Sequence, residues 1–191
     1  LMFPIRDLQG RAVAFGGRVL DAGEPKYLNS PETPLFKKGE LLYGLDLARE
    51  AARRHNRPVL VDGYLDVIAL HQARFENVVS PMGTSLTEDQ LRLLKKFTRR
   101  IVLALDPDAA GQKAVLRGLE AARQTLDRQD EIAFDARGLL HHEARLQADL
   151  RVASMPDNLD PDEIVQRDPE QWKKLIEEAQ PIVVHVMGAL A

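Results

Sequence analysis

Short apolar runs alternate with amphipathic segments along the middle of the chain, and this pattern predicts a parallel β-sheet. The runs at 59–61, 77–80 and 101–105 are largely apolar, which is typical of strands that helices cover on both faces. Each run is followed by a segment with helical spacing, as expected when crossover helices join parallel strands. The segments predicted to be helical are 41–54, 64–73, 87–97 and 110–126. The third of them begins with the capping-box pattern Thr87-Glu88-Asp89-Gln90.

The chain before residue 41 has a different pattern. Apolar positions at 2–5 and 12–20 flank a polar turn at 7–10, which predicts a β-hairpin. The pair Gly16-Gly17 within the second strand indicates a bulge or a close approach of backbone or ligand. Residues 22–39 are rich in Pro, Gly, Asn, Ser and Lys. They are predicted to form a long irregular loop, a kind of segment that is often functional.

The last sixty or so residues combine two further strands with short helices. Strands are predicted at 131–134 and 151–155, with a polar, helical stretch at 139–149 between them. Proline lies near the first turn of each of three short helices, where its fixed backbone angle is favourable. These helices are predicted at 161–167, 169–179 and 181–190.

Composition narrows the class of protein. A length of 191 residues fits one domain, or one domain with a small lobe. The 45% hydrophobic and 29% charged content excludes a disordered or fibrous chain. The absence of cysteine excludes disulfides and thiolate zinc sites, and it fits a reducing cytosol. No apolar run approaches the roughly 20 residues that span a bilayer, and the first residues do not form a signal peptide. Because a strand is predicted from the start and no initiator Met is present, we expect a fragment of a longer protein.

Charge is unevenly distributed along the sequence. Residues 1–57 carry 10 Lys and Arg against 7 Asp and Glu, a net charge of +3, whereas the remainder has a net charge of −6. A basic first lobe followed by an acidic region is typical of a nucleic-acid or nucleotide enzyme whose metal site lies in the acidic part.

Carboxylates follow three of the predicted strands. In an open parallel sheet, ligands bind at the carboxyl ends of the strands, so these carboxylates are expected along one edge. Each group alone has a structural explanation, as a helix N-cap or as a charge favourable to a helix dipole. Together they would repel one another unless cations neutralise them, and such oxygen ligands suit Mg²⁺ or Mn²⁺. The carboxylates are Asp62, Asp66, Asp106, Asp108, Asp160 and Asp162.

An acidic residue and Gly after the first strand, with Asp-x-Asp-x-x-Gly after a later one, resemble the TOPRIM domain over about 58–155. The first lobe resembles the catalytic core of bacterial replicative DNA primases, and with the later motifs the resemblance covers nearly the whole chain. The matching motifs are MFPIRD at 2–7, FGGR at 15–18, PKYLNSPET at 25–33, FKKG at 36–39, LYG at 42–44, DGYLD at 62–66, GTS at 83–85, DPDAAG at 106–111 and LDPD at 159–162.

This resemblance implies an α/β fold: a TOPRIM domain, with a Rossmann-like parallel sheet flanked by helices, a small N-terminal α+β lobe and a C-terminal helical tail. The implied boundaries are 1–57 for the lobe, 58–158 for the TOPRIM domain with an insertion at about 135–149, and 159–191 for the tail. The implied activity is synthesis of short RNA primers for DNA replication in the bacterial cytoplasm, by nucleotidyl transfer with two or more Mg²⁺ or Mn²⁺ ions. The implied partners are single-stranded DNA template, ribonucleoside triphosphates, the RNA primer and the replicative helicase, the last through a domain that we expect to be absent from this chain. No membrane partner is expected.

The resemblance also assigns residues. Asp62, Asp106 and Asp108 match the catalytic, metal-binding acids, with Asp66, Asp160 and Asp162 in the same acidic cluster. Arg18, Lys26, Asn29 and Lys38 match positions that bind nucleotide phosphates and template.

Two departures from the family pattern leave alternatives open. The family has glutamate where this chain has Asp62, whose carboxylate is one methylene shorter. The stretch at 135–149 is expected to be a surface insertion, and its pair His141-His142 to be exposed and without function.

One alternative function is that of another TOPRIM enzyme, a nuclease or a topoisomerase. A topoisomerase needs a nucleophilic tyrosine on a separate domain. The other is a non-catalytic DNA-binding module, which Asp62 favours and the Asp106/Asp108 pair disfavours.

Overall fold

The computed structural model describes residues 1–20, 24–82, 86–105, 131–134, 140–143, 149–156 and 159–189. The strands are β1 (Met2–Arg6), β2 (Ala12–Arg18), β3 (Tyr27–Asn29), β4 (Val59–Leu60), β5 (Val78–Val79), β6 (Arg100–Leu103), β7 (Glu131–Phe134), β8 (Leu140–Glu143), β9 (Asp149–Val152) and β10 (Gln180–Pro181). The helices are α1 (Leu45–His55), α2 (Tyr64–Gln72), α3 (Glu88–Lys95), α4 (Pro161–Arg167), α5 (Pro169–Glu177) and α6 (Ile182–Ala189), with a 3₁₀ turn at Lys38–Glu40. Within the ranges described, no helix is both long and apolar enough to cross a bilayer.

The central sheet has five strands in the order β10-β9-β6-β4-β5. β9, β6, β4 and β5 are parallel, and the edge strand β10 is antiparallel to β9. Neighbouring residues of one strand face opposite layers: Leu60 packs with α1, α3 and α6, and Val59 packs with α2, α4 and α5. The predicted parallel sheet with helices on both faces is therefore confirmed.

The N-terminal lobe contains the predicted hairpin, β1 and β2, and a third antiparallel strand, β3, at its edge. The sequence predicts an irregular loop here, because three residues, two of them exposed, give no periodic signal. The close approach predicted at Gly16-Gly17 is present. A Cβ on Gly16 would lie 2.8 Å from the phenol of Tyr64, so glycine is required for the lobe to pack against α2.

Two helices show how a local signal and a long-range contact each determine where a helix begins. α3 begins at the predicted capping box, in which Thr87 accepts from the N–H of Gln90. α1 begins later than predicted, because Tyr43 forms an extended backbone bridge with Ser80 and Gly44 then turns the chain with φ +79°. A Cβ on Gly44 would also lie 2.8 Å from a methyl carbon of Val67.

The helix predicted at 139–149 is wrong. Leu140–Glu143 is a strand that pairs antiparallel with Glu131–Phe134 to form a separate two-stranded sheet. Pairing with a neighbouring strand overrides weak local preference, and this information is not present in the polar stretch alone. The predicted helix at 110–126, the GTS motif at 83–85 and the side chains of His141 and His142 lie outside what the structure describes.

Candidate functional site

The sheet topology defines a crevice between the carboxyl ends of β4 and β6. The chain leaves β4 toward β5 on one side of the sheet, whereas it continues from β6 toward β9 on the other side. Such a switch point is where open α/β sheets bind ligands. Asp62 lies two residues beyond the end of β4, with its side chain exposed. Asp106 and Asp108 follow β6 in sequence and lie outside the described residues.

A cleft of about 480 Å³ opens beside this crevice. One wall comes from the N-terminal lobe and carries the cationic and amide groups, and the other comes from the starts of α2 and α4 and carries carboxylates. Six of the ten predicted site residues line it: Lys26, Asn29, Lys38, Asp62, Asp66 and Asp160. The fold therefore brings together residues that are up to 134 positions apart in the sequence, from Lys26 to Asp160.

Arg18 lies beside the cleft and contacts it indirectly. It pairs with Tyr27 across β2 and β3, and its guanidinium lies over the Tyr27 ring, 5.3 Å from the centroid. Tyr27 itself lines the cleft. The Arg18 charge is thus held at the rim by a cation–π contact.

Asp66 has a structural role in addition to its place in the cleft. One carboxylate oxygen accepts from the N–H of Gly63 at 3.0 Å, which caps the start of α2, and the other accepts from the N–H of Asp162 at 3.3 Å. Asp66 therefore joins the N-termini of α2 and α4. The carboxylate of Asp162 accepts from the neighbouring N–H of Glu163 at 2.9 Å and does not line the cleft.

Asp160 occupies the N-cap position of α4 but forms no side-chain cap hydrogen bond. Asp168, at the same position of the next helix, accepts from the N–H groups of Glu170 and Gln171 at 3.0 and 3.2 Å. Both helices begin with proline. The comparison shows that the exposed carboxylate of Asp160 is available to the cleft instead of capping its helix.

The loop that carries Asp62 is fixed by a buried serine. The Ser80 hydroxyl donates to the Asp62 carbonyl at 2.7 Å and accepts from the N–H of Met82 at 3.1 Å. Ser80 has no exposed surface. It therefore sets the distance between the loops that follow β4 and β5.

The segment that carries Lys38 is fixed by the start of α3. The side-chain amide of Gln90, fully buried, donates to the carbonyls of Lys38 and Leu41 at 2.9 and 2.8 Å. The Thr87 hydroxyl donates to the carbonyl of Gly39 at 2.5 Å. Sequence analysis identified Thr87 and Gln90 only as a local capping box, because nothing in that pattern shows which distant carbonyls the side chains bind.

Tyr64 lies at the centre of the boundary between the two walls. Its ring stacks on Phe3 with centroids 5.0 Å apart and meets Tyr43 edge-on at 4.6 Å. Its hydroxyl donates to the Oδ1 atom of Asn29 at 2.5 Å. Burial, with a smaller effect of Tyr43, raises the pKa of Tyr64 to about 12. Sequence analysis missed this residue, although the required glycine at position 16 was a signal of a bulky neighbour.

The carboxylate oxygens of the acidic wall are ligands of the kind that a hard divalent cation prefers. In the part of the chain that the structure covers, no three His, Cys, Asp or Glu side chains lie close enough to share one ion. The acidic wall thus fits such a cation in chemistry, but a complete ligand set needs residues outside that part.

Comparisons with known proteins agree with this architecture. The family model of the DNA primase catalytic core, N-terminal domain, matches residues 1–49, and that of the Toprim domain matches residues 57–130. A DNA primase of Clostridium acetobutylicum is 41% identical over 184 residues, which are 96% of this chain and 27% of that protein.

Solved structures extend the comparison to the fold. A DNA primase domain from Pseudomonas aeruginosa matches with a TM-score of 0.83 and 38% identity, covering 99% of this chain and 54% of that one. The DnaG primase catalytic domain bound to single-stranded DNA matches with a TM-score of 0.82 and 37% identity, covering 99% and 54%. This chain therefore spans about a quarter of that curated relative and about half of these solved chains.

The fold and the two-walled cleft define a Toprim protein with an additional basic lobe. The chain belongs to the bacterial DNA primase family and corresponds to part of the catalytic core. The resemblance in the sequence and the predicted α/β class are confirmed. The roles of the individual site residues stay predictions.

Proposed function

We propose that this chain forms the nucleotidyl-transfer centre of a DNA primase, which makes short RNA primers on single-stranded DNA from ribonucleoside triphosphates. The observation that carries the proposal is the cleft that Lys26, Asn29 and Lys38 line together with Asp62 and Asp160. In a triphosphate with its divalent cation, the negative oxygens suit the basic wall and the cation suits the acidic wall. A cleft with both kinds of wall at a switch point therefore suits this ligand.

The basic wall binds the anionic groups in this proposal. Lys26 and Lys38 act as point charges for nucleotide phosphates, and Asn29 adds a directional hydrogen bond. Arg18, held over Tyr27 at the rim, binds the backbone of the template strand. Backbone contacts of this kind depend on salt and read little base sequence.

The acidic wall binds the metal. Toprim domains generally bind divalent metal. Asp62, Asp106 and Asp108 are the proposed ligands for two or more Mg²⁺ or Mn²⁺ ions, with Asp160 beside them. Asp66 helps to place the acidic wall, because its carboxylate accepts from the N–H of Asp162 and so joins α2 to α4. When bound, such ions activate an attacking hydroxyl and neutralise charge on the leaving pyrophosphate.

The partners follow from the same family. The related catalytic domain solved with single-stranded DNA supports a DNA template as partner. The RNA primer would occupy the same cleft, and the replicative helicase is a further proposed partner. The bacterial relatives support a place in the bacterial cytoplasm, at the replication fork. We also propose the domain boundaries 1–57, 58–158 and 159–191.

Incorporation of labelled ribonucleotides by the 191-residue chain tests this function. We expect an alkali-labile product that requires both single-stranded template and Mg²⁺ or Mn²⁺. The chain with Asp106→Ala is the matched control and should give no product. Binding of template without incorporation would favour a non-catalytic DNA-binding module, and cleavage or relaxation of DNA would favour another Toprim enzyme; either result contradicts the proposal.

A further inference from the structure

The side-chain amide of Asn29 has a fixed orientation in the cleft. Its Oδ1 atom accepts from the Tyr64 hydroxyl at 2.5 Å, and its Nδ2 atom donates to the Met82 carbonyl at 3.3 Å. A carbonyl can only accept, so the nitrogen must face Met82 and the oxygen must face Tyr64. The two partners therefore determine the orientation chemically.

The Tyr64 hydroxyl itself has little freedom to move. The ring lies within 9° of parallel to Phe3, and it also lies against Tyr43, Tyr27 and Gly16. Only 4% of Tyr64 is exposed.

The fixed amide limits what Asn29 can offer to a ligand. One N–H is directed to Met82, and the oxygen is engaged by a short hydrogen bond from Tyr64. The second N–H of the amide remains for a molecule in the cleft, and it is a donor. Phosphate oxygens are acceptors, so this arrangement suits a phosphate better than it suits a ligand group that must donate.

The same contacts place Asn29 relative to the acidic wall. The N–H of Met82 donates to Ser80, whose hydroxyl donates to the Asp62 carbonyl. A continuous series of hydrogen bonds thus runs from Tyr64 through Asn29, Met82 and Ser80 to the loop that carries Asp62.

We infer that Tyr64 is a positioning residue, whose hydroxyl orients Asn29 so that its amide donates to a phosphate oxygen of the bound nucleotide. This inference rests on the proposed nucleotide site and assigns the chemistry of one contact within it. The competing arrangement has the Asn29 oxygen accepting from a sugar hydroxyl of the nucleotide, which tripolyphosphate lacks.

Equilibrium binding of two probes separates these arrangements. Inorganic tripolyphosphate and ATP, each with Mg²⁺, are titrated into the 191-residue chain by calorimetry. In Tyr64→Phe, which keeps the ring and loses the hydroxyl, we expect both affinities to fall by about tenfold, because a hydrogen bond to a charged group is lost. Tyr43→Phe is the matched control. It removes a hydroxyl from the same cluster of rings, and that hydroxyl makes no hydrogen bond to Asn29. It should change neither affinity more than twofold.

A double-mutant comparison and a spectroscopic signal complete the test. Asn29→Asp should weaken both probes by charge repulsion, and adding Tyr64→Phe to it should have little further effect. In the unmodified chain, the side-chain amide signal of Asn29 should move when tripolyphosphate is added, and this measurement does not depend on any variant folding. Unchanged tripolyphosphate affinity in Tyr64→Phe, or a loss confined to ATP, would overturn the inference. If the unmodified chain bound neither probe, the proposed nucleotide site itself would fail, and this inference with it.

Discussion

The two walls of the cleft are built in different ways. The acidic wall follows strands of the central sheet: Val59, Leu60 and Val61 are each at most 1% exposed, so the hydrophobic core determines where Asp62 begins its loop. The basic wall lies on an exposed edge strand and an irregular segment, and Tyr27 and Leu28 are 39% and 67% exposed. Apolar burial places one wall, whereas the other depends on individual hydrogen bonds.

Those hydrogen bonds come mostly from side chains outside the N-terminal lobe, on α2 and α3. Gln90 uses its amide nitrogen for two carbonyls of the Lys38 segment, and its oxygen accepts from the N–H of Thr87 at 3.1 Å. Tyr64 contributes the corresponding bond for Asn29. A buried polar group with all its partners satisfied specifies a single arrangement, and loss of one partner is costly. The basic wall should therefore be more sensitive to single polar substitutions than its exposure suggests.

The largest effect is expected from removing one carboxylate that we propose as a metal ligand. Asp106→Ala or Asp108→Ala should lower ribonucleotide incorporation at least about 100-fold, because a metal ligand contributes several kcal/mol to charge stabilisation in the transition state. The measurement is the incorporation rate together with the melting temperature. Full activity in either folded variant would contradict the metal assignment.

A substitution on the basic side should mainly affect stability. Gln90→Ala leaves two part-buried carbonyls without donors and opens a cavity at a fully buried position, so we expect a loss of about 3 kcal/mol in the free energy of unfolding. Gln166→Ala, at an exposed position on α4, is the matched control and should stay within about 0.5 kcal/mol. Urea denaturation measures both. Equal effects would show that the Gln90 bonds do not hold the Lys38 segment.

Divalent cations should stabilise the acidic wall. For a millimolar site, about 10 mM Mg²⁺ should add roughly 1.4 kcal/mol, or about 3 °C in melting temperature. Mn²⁺ should do at least as well. NaCl at matched ionic strength controls for general screening. Ser80→Ala, which releases the Asp62 loop, should reduce the increase, whereas Gln90→Ala should not. A rise no larger than with NaCl, or an equal rise in Asp106→Asn, would contradict a cation site.

The smallest effect distinguishes two aspartates with the same position in their helices. Asp168→Ala removes two cap hydrogen bonds from α5 and should cost about 1 kcal/mol. Asp160→Ala removes none from α4 and should cost less than about 0.5 kcal/mol, yet reduce the response to Mg²⁺. Thermal melting with and without Mg²⁺ checks both. A larger loss for Asp160→Ala would mean that its carboxylate caps the helix after all.

Much of the fold was predictable because the signals were local. Strands buried on both faces leave apolar runs, and a capping box marks the start of α3, so the parallel sheet and its helices could be located. β3 and β8 could not, because each exists only by pairing with another strand. The late start of α1 likewise depends on a bridge between Tyr43 and Ser80, which are 37 positions apart.

The candidate site likewise combines features that local sequence signals predict with features that depend on long-range contacts. Sequence alone determined which carboxylates follow which strands. The motifs of the first lobe also indicated which basic side chains and which amide belong to the candidate site. Tertiary structure decided that Lys26, Lys38 and Asn29 line one cleft with Asp62 and Asp160, and that Asp66 joins two helices. It also decided which groups of the site Tyr64, Ser80 and Gln90 position through their hydrogen bonds. The physical reason is that burial leaves a periodic trace along the chain, whereas a side chain that donates to a carbonyl 49 or 52 positions away leaves none.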